Sequence, residues 1–124
     1  MKFEPIVFKR NMCCVLTLVL KKKWFDMIAS GEKNEEYRTS RNVCAQIDRW
    51  HGHAMTLVES KNGSYPVCDA MVVKFCCGYG KDRPTILMYA TGVTVRTYAK
   101  HPEWGEPDEP HLVIALGFPV EFAS

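Results

Sequence analysis

The chain of 124 residues contains no long hydrophobic run and no large excess of charge of either sign. No segment reaches the roughly 18 to 20 consecutive apolar residues of a membrane-spanning helix, so no contact with a membrane is expected. The N-terminal segment carries Glu4 and Pro5 and is not followed by the apolar core of a signal peptide. A net charge of +2 is too small to indicate nucleic-acid binding by itself. Composition therefore argues against a membrane protein and leaves the class of ligand open.

The six cysteines lack the spacing of a metal site or of a secreted disulfide framework. No CxxC motif is present, and the spacing of Cys44, His51 and His53 matches no closed zinc site. The vicinal pairs Cys13-Cys14 and Cys76-Cys77 fall within apolar strand patterns, where one member of each pair should be buried. We therefore expect no metal, no cofactor and a reduced, cytoplasmic setting.

Positive charge is concentrated in the first part of the chain. Residues 1–49 hold ten Lys and Arg against six Asp and Glu, whereas residues 50–124 hold six against eight. This asymmetry would favour an anionic ligand near the N-terminal half, although a slightly polarised surface without any partner would look the same.

A short amphipathic helix is predicted over residues 21–29. Trp24 and Ile28 are four positions apart and share one face of such a helix. Gly31 follows the last periodic residue, where a helix commonly ends in the left-handed conformation that glycine adopts at low cost.

The densest charge in the chain follows this helix. Residues 33–38 lack helical periodicity and have the length of a strand. Side chains alternate along a strand, so Glu36 and Arg38 share a face, and Lys33 at the turn can lean over either face. We expect these three side chains to surround one small polar or anionic group. The alternative is a charged edge strand whose only role is to resist aggregation.

The spacing Gly31-x-Lys33-x-x-Glu36-x-Arg38 resembles the GxKxxExR signature of the ASCH domain, a relative of the PUA domain. The resemblance extends to an apolar strand at 15–18 and a closing strand at 112–117, and covers most of residues 12–120. A polar segment replaces the Gly-Asp dipeptide that often follows the signature. The resemblance implies an α+β fold, a PUA-like half-open mixed β-barrel with flanking helices. Residues 12–124 would form this single domain and residues 1–11 an N-terminal extension.

ASCH domains are thought to bind RNA or a nucleotide-like ligand beside the signature, and the resemblance implies the same here. Lys33 and Arg38 would contact a phosphate or a base carbonyl, Arg38 in bidentate fashion. Glu36 would accept from an exocyclic amine or hold Arg38 in position. Nearby cations would add a salt-dependent attraction. The candidate ligand-binding residues are Gly31, Lys33, Glu36, Arg38, Arg41 and Tyr79.

Some small ASCH proteins instead remove the acyl group from N4-acetylcytidine. They use the signature lysine, a threonine where this chain has Glu36, and a glutamate from a later strand that cannot be assigned here. A variant amidohydrolase would use Glu36 to activate water and Lys33 to stabilise the oxyanion, which makes both candidate catalytic residues. Ribonuclease activity ranks lower, because no motif histidine is paired with an acid. A third hypothesis is a non-enzymatic interaction module that uses the acidic segment 103–109; no particular protein partner is indicated.

The aromatic residues outside the signature are predicted to be either core or loop residues. Trp24 and Trp50 lie on apolar helical faces and are predicted to belong to the core. Trp104, in a proline-rich segment, either folds over the core or lines a pocket. Tyr79, in a glycine-containing loop, either stacks on a base or caps the edge of the barrel.

The remaining elements follow from hydrophobic pattern and turn residues. A second helix is predicted to begin at Thr39-Ser40 and to be broken near Gly52. A loop is predicted at 61–66, a bend at Gly92, and strands at 12–20, 67–77, 85–96 and 111–118.

Overall fold

The structure is a computed structural model that describes residues 4–8, 11–60 and 71–120, with side chains described for 14–52 and 71–120. Within these residues, one six-stranded sheet is accompanied by two α-helices. The elements are β1 (Glu4–Phe8), β2 (Asn11–Leu20), α1 (Lys22–Ala29), β3 (Glu35–Arg38), α2 (Arg41–Ser60), β4 (Met71–Cys77), β5 (Thr85–Arg96), a short 3₁₀ helix (Pro102–Trp104) and β6 (His111–Pro119). The predicted α+β class is confirmed.

The strands are arranged in the order β1-β2-β4-β5-β6-β3. β2 and β4 are parallel, and the other described neighbours are antiparallel. The register between β5 and β6 shifts between Met88 and Ala90 and again between Ala90 and Gly92. Such irregularities bend a strand, so the bend predicted at Gly92 is confirmed and the sheet is mixed and curled.

The two ends of the curled sheet approach one another without forming a ladder. β1 pairs with β2 only as far as Val15, so the rest of β2 has a described strand on one edge alone, β4. β3 lies at the other end of the strand order, yet Nη2 of Arg38 donates a hydrogen bond to the main-chain oxygen of Val19 at 3.0 Å. A side chain therefore bridges the gap between β2 and β3, as in a half-open barrel.

Both helices bury an apolar face against this sheet. α1 contributes Phe25 and Ile28, and α2 contributes Ile47 and Trp50. The indole of Trp50 is fully buried and its Nε1 donates a hydrogen bond to the main-chain oxygen of Cys14 at 2.9 Å. Burying an aromatic side chain of this size stabilises the fold strongly, and the hydrogen bond avoids the cost of an unpaired N–H. Trp50 is therefore a core residue, as predicted.

Two predictions about the helices are wrong. α2 is one continuous helix of 20 residues rather than a broken one. Gly52 is exposed within it, and the propensity cost of a single glycine, about 1 kcal/mol, is small beside the burial of Ile47 and Trp50. Trp24, predicted to be a core residue, is only partly buried, because its side chain lines a cleft.

Other predictions about elements are confirmed within the described residues. Cys14 and Cys76 are fully buried, as predicted for one member of each vicinal cysteine pair. The predicted loop at 61–66 and the predicted start of β4 at 67 lie outside the described residues. Across the described ranges, no helix combines the length and the apolar character needed to cross a membrane.

Candidate functional site

A cleft of about 560 Å³ opens where β2 and β3 approach one another. Its wall comes from the end of β2, the start of α1, the signature strand, the first turn of α2 and the segment around the 3₁₀ helix. The lining residues are Val19, Leu20, Lys21, Trp24, Lys33, Glu36, Tyr37, Arg38, Thr39, Ser40, Val43, Trp104, Gly105 and Pro107. Five separate segments of the chain therefore meet at one concave surface.

Three signature side chains form a continuous hydrogen-bonded chain in this cleft. Nζ of Lys33 lies 2.8 Å from Oε1 of Glu36, and Nη2 of Arg38 lies 2.8 Å from Oε2 of the same carboxylate. The side chain of Lys33 is 2% exposed and that of Glu36 is 6% exposed, whereas Arg38 is 22% exposed. Burying a charged pair to this depth costs several kcal/mol of desolvation. Charges whose only role is to keep an edge strand soluble would remain in water and would not incur this cost. These three side chains, Lys33, Glu36 and Arg38, are called the triad below, and their burial contradicts the alternative of a solvated charged edge.

The turn between α1 and β3 fixes the position of Lys33. Gly31 has a φ of 84°, the left-handed conformation predicted at the helix exit, and its N–H donates to the oxygen of Ile28. The backbone N–H of Lys33 then donates to the oxygen of Met27 at 3.0 Å. The chain is thus held against the end of α1, and the lysine side chain turns inward instead of outward.

The ammonium group of Lys33 also lies between two aromatic rings. It is 4.8 Å from the ring centroid of Trp24 and 5.3 Å from that of Tyr37. A cation over an aromatic face is stabilised by about 0.5–2 kcal/mol, more when it is shielded from water. The two rings and the Glu36 carboxylate together compensate the burial of the lysine.

Two tryptophans give the cleft an aromatic character that the signature alone does not supply. Trp24 and Trp104 both line it, and the ring of Trp104 stacks on that of His101 with centroids 4.0 Å apart and planes 17° apart. Gly105, with a φ of 79°, lies so close to Trp24 that a Cβ atom there would be 2.7 Å from Cζ2 of the indole. The loop that carries Trp104 is therefore docked directly on α1.

A second buried network anchors that loop from behind. The guanidinium of Arg96 contacts both oxygens of Glu35, at 3.0 and 3.1 Å, and Oε2 of Glu106 at 2.6 Å. Nε2 of His111 lies 2.6 Å from the same Oε2. The other oxygen of Glu106 accepts from the backbone N–H groups of Lys100 and His101, both at 2.7 Å. The network joins β3, β5, β6 and the loop before β6.

The pKa values of this network show how strongly its charges are held. Burial alone would raise the pKa of Glu106, but hydrogen bonds from the His101 backbone and the Arg96 guanidinium lower it to about 2. Burial likewise opposes the shift at Glu35, and the hydrogen bonds from Arg96 and Tyr37 bring its pKa below the ordinary value. Burial and the hydrogen bond to Glu35 raise the pKa of Tyr37 well above its ordinary value. These carboxylates are therefore ionised, structural groups at neutral pH.

The residues predicted for the site divide into two groups. Lys33, Glu36 and Arg38 line the cleft together. Gly31 is exposed and acts through the turn, and Arg41 is an exposed residue at the start of α2 beside the lining residue Ser40. Tyr79 is 87% exposed at the loop between β4 and β5 and is not part of the cleft wall.

The sequence interpretation missed residues that depend on distant contacts. Of the acidic segment 103–109, read as a partner-binding or solvated loop, Glu106 is buried and Asp108 accepts from the backbone N–H of Ala99. Arg96, predicted only as the end of a strand, is the central cation of the second network. The available signal was the dense series of Pro, Trp, Gly and Glu at 102–107, a composition more elaborate than a solvated loop needs.

The described residues offer no group of three or more His, Cys, Asp and Glu side chains that could hold a metal ion. Cys44 lies near the signature, where Sγ donates to the main-chain oxygen of Arg38 at 3.3 Å, and burial raises the pKa of its thiol. It therefore acts as a packed neutral thiol. What the cleft offers chemically is two lysine ammonium groups, a carboxylate and a guanidinium beside aromatic surfaces and the hydroxyls of Thr39 and Ser40.

No protein-family model, no curated protein and no solved structure matches this chain.

Proposed function

We propose that the cleft binds a single nucleobase-containing ligand, either a nucleotide or the terminal residue of an RNA. The observation that carries this proposal is the buried Lys33–Glu36 pair, which lies in the same cleft as Trp24 and Trp104. A donor and an acceptor side by side match the edge of a nucleobase, and aromatic rings match its faces.

The chemistry of the pair supports recognition of a base edge. Lys33 carries three N–H donors and Glu36 carries acceptor oxygens with free lone pairs even after its two ion pairs. A base would present a carbonyl or ring nitrogen to the ammonium and an exocyclic amine or ring N–H to the carboxylate. Because Arg38 holds the other carboxylate oxygen, Glu36 is already oriented before the ligand arrives.

The size of the cleft supports one residue rather than a strand. Its volume of about 560 Å³ falls within the roughly 300–1,000 Å³ of small-molecule sites. Nonspecific single-strand binders use open grooves that hold about 4–16 nucleotides. The proposal therefore places one base inside, with any further RNA outside the cleft.

The resemblance of residues 31–38 to the ASCH signature supports the same ligand class. In this proposal the chain is a small ASCH-like, PUA-like domain in which the signature lysine and glutamate contact the base. Arg38 serves both to position Glu36 and to close the gap to β2.

Isothermal titration calorimetry with the four common nucleosides and their 5′-monophosphates tests the proposal. We expect at least one base to bind with a 1:1 stoichiometry, and Glu36→Gln and Trp104→Ala to weaken that binding at least tenfold. Lys81→Ala removes an exposed lysine outside the cleft and serves as a matched control with unchanged affinity. Circular dichroism establishes that each variant is folded. Failure of every base to bind the wild-type chain would refute the proposal.

A second candidate function, hydrolysis of an acylated nucleoside such as N4-acetylcytidine, is favoured by the 2.8 Å contact between Lys33 and Glu36. In such a reaction Glu36 would take a proton from water as the water oxygen bonds to the acyl carbon. Lys33 would stabilise the oxyanion that forms. The carbon–nitrogen bond would then break, and Glu36 would return the proton to the departing exocyclic amine. The products are the carboxylic acid and cytidine.

Chromatography of N4-acetylcytidine incubated with the protein tests this second candidate. Release of cytidine that is abolished in Glu36→Gln and unchanged in Lys81→Ala would support an amidohydrolase. Binding of the nucleoside without release of cytidine would leave the binding function and exclude this reaction.

A further inference from the structure

The residues that line the cleft carry more positive than negative charge. Lys21, Lys33 and Arg38 contribute positive charge, and Glu36 is the sole carboxylate among the described lining residues, which leaves an excess of two positive charges. Lys23 adds another cation close by, with Nζ 4.7 Å from the ring centroid of Trp24. A neutral nucleoside would leave this excess uncompensated.

The excess charge lies toward the mouth of the cleft. Lys33 and Glu36 are almost fully buried and neutralise each other at depth, whereas Arg38 is 22% exposed and Lys21 is exposed. The base, which needs the buried pair and the aromatic rings, would therefore lie inward. Whatever carries the negative charge of the ligand would lie outward, beside Arg38 and Lys21.

Arg38 has donors to spare for such a group. Among the described residues, both of its side-chain hydrogen bonds, to Glu36 and to Val19, come from Nη2. Nε and Nη1 remain, and each can donate single charge-assisted hydrogen bonds to phosphate oxygens. Because Nη2 is already fixed on two partners, the orientation of the remaining donors is set in advance.

Two exposed hydroxyl residues, Thr39 and Ser40, follow Arg38 directly in the chain and also line the cleft. The first turn of α2 also borders it, since Ser40 and Val43 are both lining residues, and N–H groups at the start of a helix add partial positive charge. Hydroxyl donors, a guanidinium and a lysine are the groups that proteins use for phosphate oxygens.

We infer that the outer part of the cleft is a phosphate subsite, formed by Arg38, Lys21 and the Thr39 and Ser40 hydroxyls, and that the ligand is a nucleoside phosphomonoester rather than a free nucleoside. The inference rests on the proposed function and specifies its ligand class. A phosphomonoester carries about −1.5 to −2 charges near pH 7, which matches the excess of two positive charges on the wall. The phosphate belongs either to a free mononucleotide or to the end of an RNA chain.

Calorimetry with matched pairs of ligands tests this inference. For the base that binds best, we compare the nucleoside with its 5′- and 3′-monophosphates at low ionic strength. We expect one monophosphate to bind at least about tenfold more tightly than the nucleoside, and raised salt to reduce that ratio. A dinucleotide with and without the same terminal phosphate distinguishes a free nucleotide from an RNA end. The free nucleotide is the source if only the mononucleotide shows the gain.

Substitutions at the mouth separate the subsite from the base pocket. Lys21→Ala and Ser40→Ala change exposed residues, and both should lower the ratio of monophosphate to nucleoside affinity while leaving nucleoside affinity unchanged. Arg49→Ala, an exposed arginine of α2 outside the cleft, is the matched control. Equal affinity for nucleoside and monophosphate would overturn the phosphate subsite alone. Absence of binding by either ligand would overturn the proposed function and the subsite with it.

Discussion

Gly105 lies against the indole of Trp24, with space for a hydrogen atom but not for a methyl group. The contact joins the loop that carries Trp104 to the helix that precedes the signature. The close contact of Gly105, which has no side chain, with Trp24 therefore fixes the distance between α1 and the loop that carries Trp104.

Substitution of this glycine should reveal both its conformation and its contact. Gly105→Ala is expected to lower the free energy of unfolding by about 2–5 kcal/mol, because the left-handed φ costs about 1–2 kcal/mol and the overlap with a rigid ring adds about 1–3 kcal/mol. Gly78→Ala is the matched control, since Gly78 also has a positive φ but open space around its Cβ position. Urea unfolding of both variants measures the difference. Equal losses would mean that the contact with Trp24 carries no energy.

The buried carboxylate of Glu36 should be important for stability as well as for binding. Glu36→Ala leaves the ammonium of Lys33 and the guanidinium of Arg38 without their shared partner, which should cost about 3–5 kcal/mol. Glu32→Ala changes an exposed carboxylate three residues before the start of β3, and should alter stability by less than about 0.5 kcal/mol. Thermal or urea unfolding compares the two. A loss below 1 kcal/mol in Glu36→Ala would contradict the buried pairing.

Arg96 should not tolerate replacement by lysine. Its planar guanidinium contacts both oxygens of Glu35 and one of Glu106, and a single ammonium cannot reproduce that geometry. We expect Arg96→Lys to lower the free energy of unfolding by about 2 kcal/mol or more, within the range for charged hydrogen bonds. Arg49→Lys, on the exposed face of α2, provides the control and should have no measurable effect. Similar stability of the two variants would show that the guanidinium geometry of Arg96 is not needed to hold Glu35 and Glu106.

Stability should fall in acid because of Glu106. Its pKa is about 2 in the folded chain against an ordinary value of 4.5. A carboxylate with a lowered folded-state pKa stabilises the fold above the unfolded-state value, and that contribution is lost as pH falls from about 4.5 toward 2. The difference corresponds to about 3 kcal/mol as an order of magnitude.

Urea unfolding between pH 6 and pH 2.5 measures this slope. Glu106→Gln should be less stable at neutral pH and should show a flatter dependence on pH in the acid range, because glutamine does not titrate. Glu109→Gln, which changes an exposed neighbour, should retain the slope of the wild-type chain. An unchanged slope in Glu106→Gln would mean that other groups cause the acid sensitivity.

Tyr37 should ionise well above the ordinary pKa of a tyrosine. Burial and the hydrogen bond from its hydroxyl to Glu35, at 2.9 Å, raise its pKa well above the ordinary value. In a spectrophotometric titration at 295 nm, a part of the absorbance change should therefore appear only when the chain unfolds at high pH. Tyr37→Phe should remove this late part. An unchanged late part in Tyr37→Phe would assign it to another residue.

Local pattern was sufficient to predict the elements that carry the triad. A helix with one apolar face, a glycine at its exit and an alternating strand together determine which side chains share a face, and Lys33, Glu36 and Arg38 do meet. The depth of Lys33 was not predictable in the same way. It depends on a hydrogen bond from its backbone to Met27 and on two rings whose positions are set by the rest of the fold.

The role of Trp24 and of Glu106 depends on distant parts of the chain. Helical periodicity assigns Trp24 to an apolar face, but whether that face meets the core or a cleft is decided by where the loop at 102–105 docks. Glu106 is buried because Arg96 and His111 meet it from neighbouring strands. The break predicted at Gly52 does not occur, because the weak preference of glycine against helix is outweighed by the burial of Ile47 and Trp50 on the same helix.

The link from Arg38 to the main chain of Val19 spans the place where the curled sheet fails to close. Sheet strands joined by main-chain ladders are hard to move apart, but among the described residues the hydrogen bond across this joint comes from one long side chain. The side chain at position 38 therefore helps to set the width of this gap without taking part in a main-chain ladder across it. A chain with the same framework and a shorter residue at position 38 would have a wider entrance, and could admit a bulkier guest without any change of architecture.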